Sequence, residues 1–469
     1  MRSGSFCSEI RSMRIHFIAI GGSAMHNLAL ALKDEGHDIT GSDDQILEPS
    51  RGRLAAAGIL PDSEGWNPQR IVSDIDIVVL GMHARADNPE LRRALDLRIQ
   101  VQSYPEFIFN FNKKTTRVVV GGSHGKTTIT SMILHVMNSL KKPMNFLVGA
   151  QLEGFDRMVE LKEDNEWCII EGDEYLSSPI DPRPKFFWYQ AHFTLISGIA
   201  WDHINVFPTE EAYVQQFQEY LETLEQNATV VWCENDQKLA KVIAGCQRAD
   251  LKFVPYATPA FSSNEAGALT LHWEDGRVLS TQMVGAHNAQ NLAGARALSS
   301  CIGIQSQDFD RAISSFSGAA RRLELLHESS AFNVFRDFAH APSKLKATVS
   351  GVKASYPRRE LIAVFELHTY SSLNMDFLPT YREAMNEADR AFIYFDPQVL
   401  IQKRMPSLEP TFVSACFGSH PDLTVFTSKT ELENALHQLS KENQTVLLMS
   451  SGWFSGLEVN WSSSMKIQD

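Results

Sequence analysis

The stretch "VVVGGSHGKTTITSM", residues 118–132, places one lysine and two threonines behind glycines at the end of a β-branched run. A glycine turn between a strand and a helix lets backbone N–H groups and the helix N-terminus meet a phosphate. In that frame Gly122, Ser123, His124 and Gly125 supply the cradle and Lys126 neutralises phosphate charge. The hydroxyl of Thr127 or Thr128 would then ligate Mg²⁺. The strict phosphate-loop spacing asks for glycine at position 120, where the chain has Val120, so this loop is a shortened one. The bland alternative is a glycine turn with a solvated lysine.

Three further groups follow in order. "IIEGDEY" sets Glu171, Asp173 and Glu174 just past an apolar run. Acids at the C-terminal end of a strand, downstream of a phosphate loop, suit Mg²⁺, which takes few carboxylates together with phosphate oxygens. A solvated acidic turn is the alternative. "ISGIAWDHINVF" repeats the placement with Asp202-His203, where His203 would be a second metal ligand or, alternatively, part of a capping or core pair. "VGAHNAQNLAGARALSS" opens an alanine-rich helix with Asn288 and Asn291 one turn apart, so both would face a nucleotide base, or Asn288 would cap the helix. Arg321-Arg322 ahead of "LELL" would clamp a γ-phosphate, or else supply surface charge between domains.

The elements that position these groups alternate between strand and helix along most of the chain, which predicts α/β layers with mainly parallel sheets. At 469 residues the chain is too long for one core. Three blocks are legible. The first, "IHFIAIGGSAMHNLALALKDEGHDITGSD" (15–43), is a strand, a Gly21-Gly22-Ser23 turn, a helix, and a second strand ending at Ser42-Asp43. Small residues at that turn admit a pyrophosphate. "NKKTT" (112–116) reads as a polar linker into the phosphate-loop block. The third block opens with "FNVFRDFAHAPSKLKATVSGV" (332–352) and closes with "TVLLMSSGWFSGL" (445–457), a small doubly wound domain.

Bulk properties narrow the partners. The net charge is −13 with acids and bases interspersed, which is unsuited to nucleic acid. No apolar run approaches the roughly 20 residues of a membrane span. The six cysteines form no CxxC pair, which fits a reducing compartment and makes cytoplasm the default location. "MRSGSFCSEIRS" lacks the apolar core of a signal peptide and reads as a disordered tail or an over-long start.

The ordered set GGSHGKTT, EGDEY, DH, HN..N, RR.E and RDFAHAP resembles the ATP-dependent Mur ligase family, from Met13 over essentially the whole chain. The resemblance implies three α/β domains: a Rossmann-like UDP-sugar domain (1–113), a central phosphate-loop ATPase domain (114–319), and a Rossmann-like acceptor domain (320–469). It implies ATP as co-substrate, with Lys126 on the β/γ-phosphates and Mg²⁺ held by Thr127, Glu171 and His203. Asn288 and Asn291 would hold adenine, and Arg322 and Asp337 would reach ATP from the domain boundary and the third domain. Gly21, Gly22, Ser23 and Asp43 would bind the UDP-sugar; His340 and Lys344 would line the cleft to the acceptor. The implied reaction joins the carboxylate of UDP-N-acetylmuramate to an amine through an acyl phosphate.

The amine belongs either to the peptide L-Ala-γ-D-Glu-meso-diaminopimelate or to L-alanine. "GSDDQILEPSRGRL", "DEYLSSPIDPRPKF" and "MSSGWFSGL" favour the peptide-adding branch. Two departures stand out. "EAYVQQFQEY" carries Phe217 where many relatives have a modified lysine, so no carbamylated lysine is expected. His368-Thr369-Tyr370 stands where the two branches often place an arginine, which puts recognition of the acceptor carboxylate in question. Three rivals are weaker. A nicotinamide dehydrogenase leaves the second phosphate loop unexplained, and a phosphate-loop kinase needs no UDP-sugar domain. A non-catalytic nucleotide-binding regulator would not keep Lys126, Glu171 and His203 together.

Overall fold

The computed structural model describes residues 12–152, 154–201, 206–264, 267–319, 322–452, 454–457, 459 and 461. They form two compact units. The first holds the described residues up to Val119, Lys142–His192 and Tyr220–Ala228; the second holds Val120–Lys141, Phe193–Glu219 and the described residues from Thr229 on.

The first unit opens with a parallel four-stranded sheet in the order Asp38–Ser42, Arg14–Ile18, Ile77–Leu80, Gln100–Ser103. Its inner strands are apolar runs because helices cover both faces of a parallel sheet. Helix Ser23–Asp34 buries Met25, Leu28, Ala29 and Leu32, a spacing of three and four residues. Helix Tyr104–Phe111 starts with a capping box, the Ser103 hydroxyl taking the Glu106 N–H while the Glu106 carboxylate takes the Ser103 N–H. "NKKTT" is not a free linker. Asn112 is fully buried, its amide oxygen accepts from Asn145 Nδ2 (2.8 Å), and the Thr115 hydroxyl donates to the Asn112 carbonyl. The strand starts at Thr116. Polar residues close that joint because the Arg117 guanidinium, 2% exposed, donates to the carbonyls of Asn112, Lys113, Thr115, Tyr189 and Gln190 and pairs with Glu225.

The second unit carries parallel strands Phe193–Ile196, Thr229–Cys233 and Lys252–Tyr256, helices Lys126–Ser139 and Ala286–Cys301, and an antiparallel sheet of Ala260–Ser263, Ala268–His272 and Val278–Val284. That last sheet escapes a search for apolar runs, since Ala260–Ser263 is exposed throughout and Val278–Val284 alternates exposed and buried. The final sheet runs Glu324–Glu328, Phe332–Asp337, Gln444–Met449, Glu360–Glu366, Arg390–Tyr394, Leu423–Phe426; the first strand is antiparallel and the others parallel. One face packs on Val349, Val352, Tyr381 and Phe417, the other on Leu432, Leu436 and Phe454. The doubly wound third block expected from the sequence is therefore present.

Candidate active site

The strand Thr116–Gly121 delivers the chain into the glycine loop, and helix Lys126–Ser139 leaves it. Gly122 and Gly125 have φ of +113° and +76°, a region that side chains resist. A Cβ on Gly122 would strike Ser197, and one on Gly125 would strike the Asn291 amide. The loop is braced from outside. Ser123 N–H donates to the Gly198 carbonyl (2.9 Å), Ala200 N–H donates to the Ser123 hydroxyl (2.8 Å), and that hydroxyl meets the Tyr213 hydroxyl (2.8 Å). Tyr213 is itself set in a buried aromatic stack between Phe207 and Phe217. Phe217 is thus a core ring.

Cationic groups converge on this cradle. Lys126 folds back so that its ammonium donates to the Gly122 carbonyl at 2.8 Å. The Arg322 guanidinium donates to the Thr127 hydroxyl at 2.8 Å and stacks on the Phe338 ring at 4.6 Å. His124 Nε2 meets the Ser343 hydroxyl at 2.8 Å, between His340 and Lys344. Thr127 and Thr128 lie buried in the first helical turn. Behind the loop, Asn291 Nδ2 donates to Asn288 Oδ1 (3.1 Å), and Asn288 Nδ2 donates to the Val284 carbonyl (2.8 Å). The cap of that helix is Gly285, so Asn288 is not its N-cap.

Asp337 is buried and its carboxylate accepts from Leu323 N–H (2.7 Å), Ala339 N–H (2.9 Å) and the Thr348 hydroxyl (3.2 Å). It fixes the segment next to Arg322. His340 Nδ1 meets the Phe338 carbonyl (2.8 Å), and the Tyr381 hydroxyl donates to the His340 carbonyl. The second unit thus brings together Gly122–Thr128, Asn288, Asn291 and Arg322, with Asp337, His340 and Lys344 on the adjoining strand and helix.

The first unit holds the other candidates. Asp43 follows strand Asp38–Ser42 and accepts the Gly21 N–H at 2.7 Å. Burial, with Asp44 beside it, pushes the Asp43 carboxyl up to about 6. Gly22 is the N-cap of the helix that Ser23 opens. Glu171 ends strand Trp167–Glu171 and accepts the Gly149 N–H at 2.6 Å, while Asp173 pairs with Lys185 at 3.1 Å. His203, with Asp202, lies outside the described residues, as does Arg321. Among the described residues no three His, Cys, Asp or Glu side chains form a metal cage. A glycine cradle with a hydroxyl and a lysine is a donor set for a phosphate–Mg²⁺ pair, in which phosphate supplies most oxygens. Sequence reasoning missed Tyr213 and Ser197, which meet the loop from distant segments and carry no local signature; Ser343 falls within the "APSKL" expected to line the cleft.

Comparison with known proteins agrees with this architecture. Residues 14–114 match a model described as Mur ligase family, catalytic domain; 120–299 match the Mur ligase middle domain; 321–452 match the Mur ligase, glutamate ligase domain. The UDP-N-acetylmuramate–L-alanyl-γ-D-glutamyl-meso-2,6-diaminoheptandioate ligase of Escherichia coli (strain K12) is 26% identical over 95% of this chain and 96% of its own. The UDP-N-acetylmuramate–L-alanine ligase of Rubrobacter xylanophilus is 28% identical over 94% of this chain and 97% of its own. Among solved structures, a murein peptide ligase from Psychrobacter arcticus shares the fold with a TM-score of 0.69 at 23% identity, covering 95% of this chain and 97% of that one. The UDP-N-acetylmuramate–alanine ligase of Thermotoga maritima does so with 0.72 at 21%, with the same coverage. With three family models tiled along it in order, and a lysine and an arginine turned onto a glycine cradle, the chain belongs to the Mur ligase family of ATP-dependent amide ligases.

Proposed function

We propose that the protein joins the lactyl carboxylate of UDP-N-acetylmuramate to the amine of L-Ala-γ-D-Glu-meso-diaminopimelate, in the cytoplasm, as a step of peptidoglycan recycling. Domains over 1–113, 114–319 and 320–469 would take the UDP-sugar, ATP and the peptide. The observation that carries the ligase reading is the meeting of Lys126 and Arg322 at one glycine loop, where a γ-phosphate would lie. The sugar carboxylate attacks that phosphorus and ADP departs, leaving an acyl phosphate. The peptide amine then attacks the acyl carbon, gives up a proton and expels phosphate. Lys126 and Arg322 hold the transferred phosphoryl group and offset its charge, and Asn288 and Asn291 would hold the adenosine half. Thr127 would hold Mg²⁺ at the loop, and the ion would offset phosphate charge.

The segments "GSDDQILEPSRGRL", "DEYLSSPIDPRPKF" and "MSSGWFSGL" favour the peptide acceptor. L-Alanine is the second reading, supported by the likeness to the Rubrobacter xylanophilus ligase at 28% identity. The deciding experiment measures phosphate release from ATP with Mg²⁺ and UDP-N-acetylmuramate, offering each acceptor in turn. Turnover with the tripeptide alone is expected. Turnover with L-alanine would move the protein to the second reading, and release with neither would overturn both.

A further inference from the structure

A parallel sheet is covered on both faces, so a carboxylate shut away beside one must be held by several donors. Glu90 is such an acid. It stands second in helix Pro89–Asp96, behind the cap Asn88, and is 0% exposed. Its contacts run to the end of strand Asp38–Ser42, next to the Gly21-Gly22-Ser23 turn, and the site described above uses none of them.

Glu90 Oε2 accepts the Ser42 hydroxyl and faces His16 Nε2 at 3.5 Å, while Oε1 accepts the Asn67 N–H at 2.7 Å. Ser42 and His16 are themselves fully buried, and His16 Nδ1 meets the Thr40 hydroxyl at 2.9 Å. Burial works against a charge here, but the groups from His16, Ser42 and Asn67 outweigh it and hold the Glu90 carboxyl below its ordinary range. A carboxylate takes all three donors at once. An amide in its place would offer one oxygen and add two donors of its own.

What this anchor holds is backbone. The Ser42 carbonyl accepts two N–H groups, from Ala19 at 2.9 Å and from Ile20 at 3.0 Å. The next residue, Asp43, takes the Gly21 N–H on its carboxylate and the Gly65 N–H on its carbonyl, both at 2.7 Å. Gly65 lies two residues before Asn67, so the loop closes a ring back to Glu90. Ala19 has φ +70°, a left-handed conformation that a Cβ resists. It is 1% exposed, and a Cβ on Gly81 would sit 3.0 Å from its methyl group, so the neighbouring strand presses on it too. Such a residue stays in place only where its surroundings over-determine it. Here the two bonds to Ser42, itself tied to Glu90, supply that constraint immediately before the turn.

We propose that Glu90 is a positioning residue for the sugar nucleotide: by fixing Ser42 it keeps Ala19 left-handed, and so aims the Gly21–Ser23 backbone at UDP-N-acetylmuramate. This rests on reading that turn as the UDP-sugar site. The test titrates the full chain, loaded with Mg²⁺ and a non-hydrolysable ATP analogue, with UDP-N-acetylmuramate. Glu90→Gln should weaken binding of the sugar nucleotide by about tenfold, as release of one strained residue would. Affinity for the ATP analogue should stay unchanged. Ser42→Ala removes a single oxygen and should do the same, which keeps the test open if Glu90→Gln does not fold. The decisive readout is rescue. Ala19→Gly, added to either variant, should recover most of the lost affinity, because glycine adopts φ +70° unaided. A general loss of packing under the sheet would not be cured at residue 19. Glu90→Gln and Ser42→Ala variants that bind UDP-N-acetylmuramate like the wild type, that weaken the ATP analogue equally, or that Ala19→Gly does not rescue would overturn this inference and leave the sugar site standing. A wild type that does not bind UDP-N-acetylmuramate would overturn both.

Discussion

Two turns in this molecule share one local plan and differ in charge. Arg14–Ile18 leads through Gly21-Gly22 into helix Ser23–Asp34; Thr116–Gly121 leads through Gly122 and Gly125 into helix Lys126–Ser139. Both helices have glycine at the N-cap, no side-chain cap hydrogen bond and no acid in the first turn. At the first turn an acid arrives: Asp43 takes the Gly21 N–H. At the second, cations arrive: Lys126 on the Gly122 carbonyl and Arg322 on Thr127. A glycine turn before a helix is thus only a permissive backbone. The charge set around it, Lys126 from the turn itself and Arg322 from a distant segment at the second and Asp43 at the first, is what distinguishes the two.

The sharpest way to break this contrast is to remove the positive charge from the second turn. Lys126→Ala should lower phosphate release by three orders of magnitude or more, since transferring a phosphoryl group relies on such a charge. Thermal unfolding should be almost unchanged, because the ammonium's bond to Gly122 is only half buried. Normal phosphate release by this variant would remove the loop from the mechanism. Backbone conformation separates the turns next. Gly125→Ala forces a side chain to φ +76° and into Asn291, so it should destabilise by about 1–3 kcal/mol and weaken ATP binding. Gly22→Ala, at φ −58° with its nearest neighbour 3.6 Å away, should cost no more than about 0.5 kcal/mol. Urea titrations of the two variants would expose a ranking in the opposite order.

How far the sequence carried these sites follows from how local each one is. The glycine loop is contiguous and flanked by an apolar run and a helical pattern, so one window contains it. Asn288 and Asn291 were legible because one helical turn separates them, although the Asn288 bond back to Val284 was not. Arg322 was visible as a charge; its seat on Thr127 depends on a separation of 195 residues that no periodicity encodes. Tyr213 was invisible for the same reason, meeting Ser123 across 90 residues. "NKKTT" misled because charge at a block boundary usually means solvent, whereas here Asn112 and Thr115 satisfy buried carbonyl and amide groups. The antiparallel sheet at 260–284 was missed because strands covered on one face alternate instead of running apolar.

The smallest predicted effect concerns the acid at the first turn, and its sign follows from linkage. Asp43 has a carboxyl at about 6 in the folded protein against an ordinary 3.8. The folded state therefore holds its proton over a pH range in which the unfolded chain has released it. The stability this group contributes is complete below about pH 4, falls as pH rises toward 6, and is lost above that, the reverse of a salt-bridged aspartate. Asp43 is only 7% exposed, but it shares its charge with the exposed Asp44, so screening limits the swing to on the order of 1–2 kcal/mol. Asp43→Asn keeps an oxygen for the Gly21 N–H and removes the titration. Melting temperatures of wild type and variant should then converge near pH 4 and part by pH 7, with the variant the more stable. A wild type more stable than the variant at pH 7, with the two converging toward acid, would mean that Asp43 is stabilised as the ionised form, and the two turns would then differ in charge for a different reason: the first would be built to hold a carboxylate.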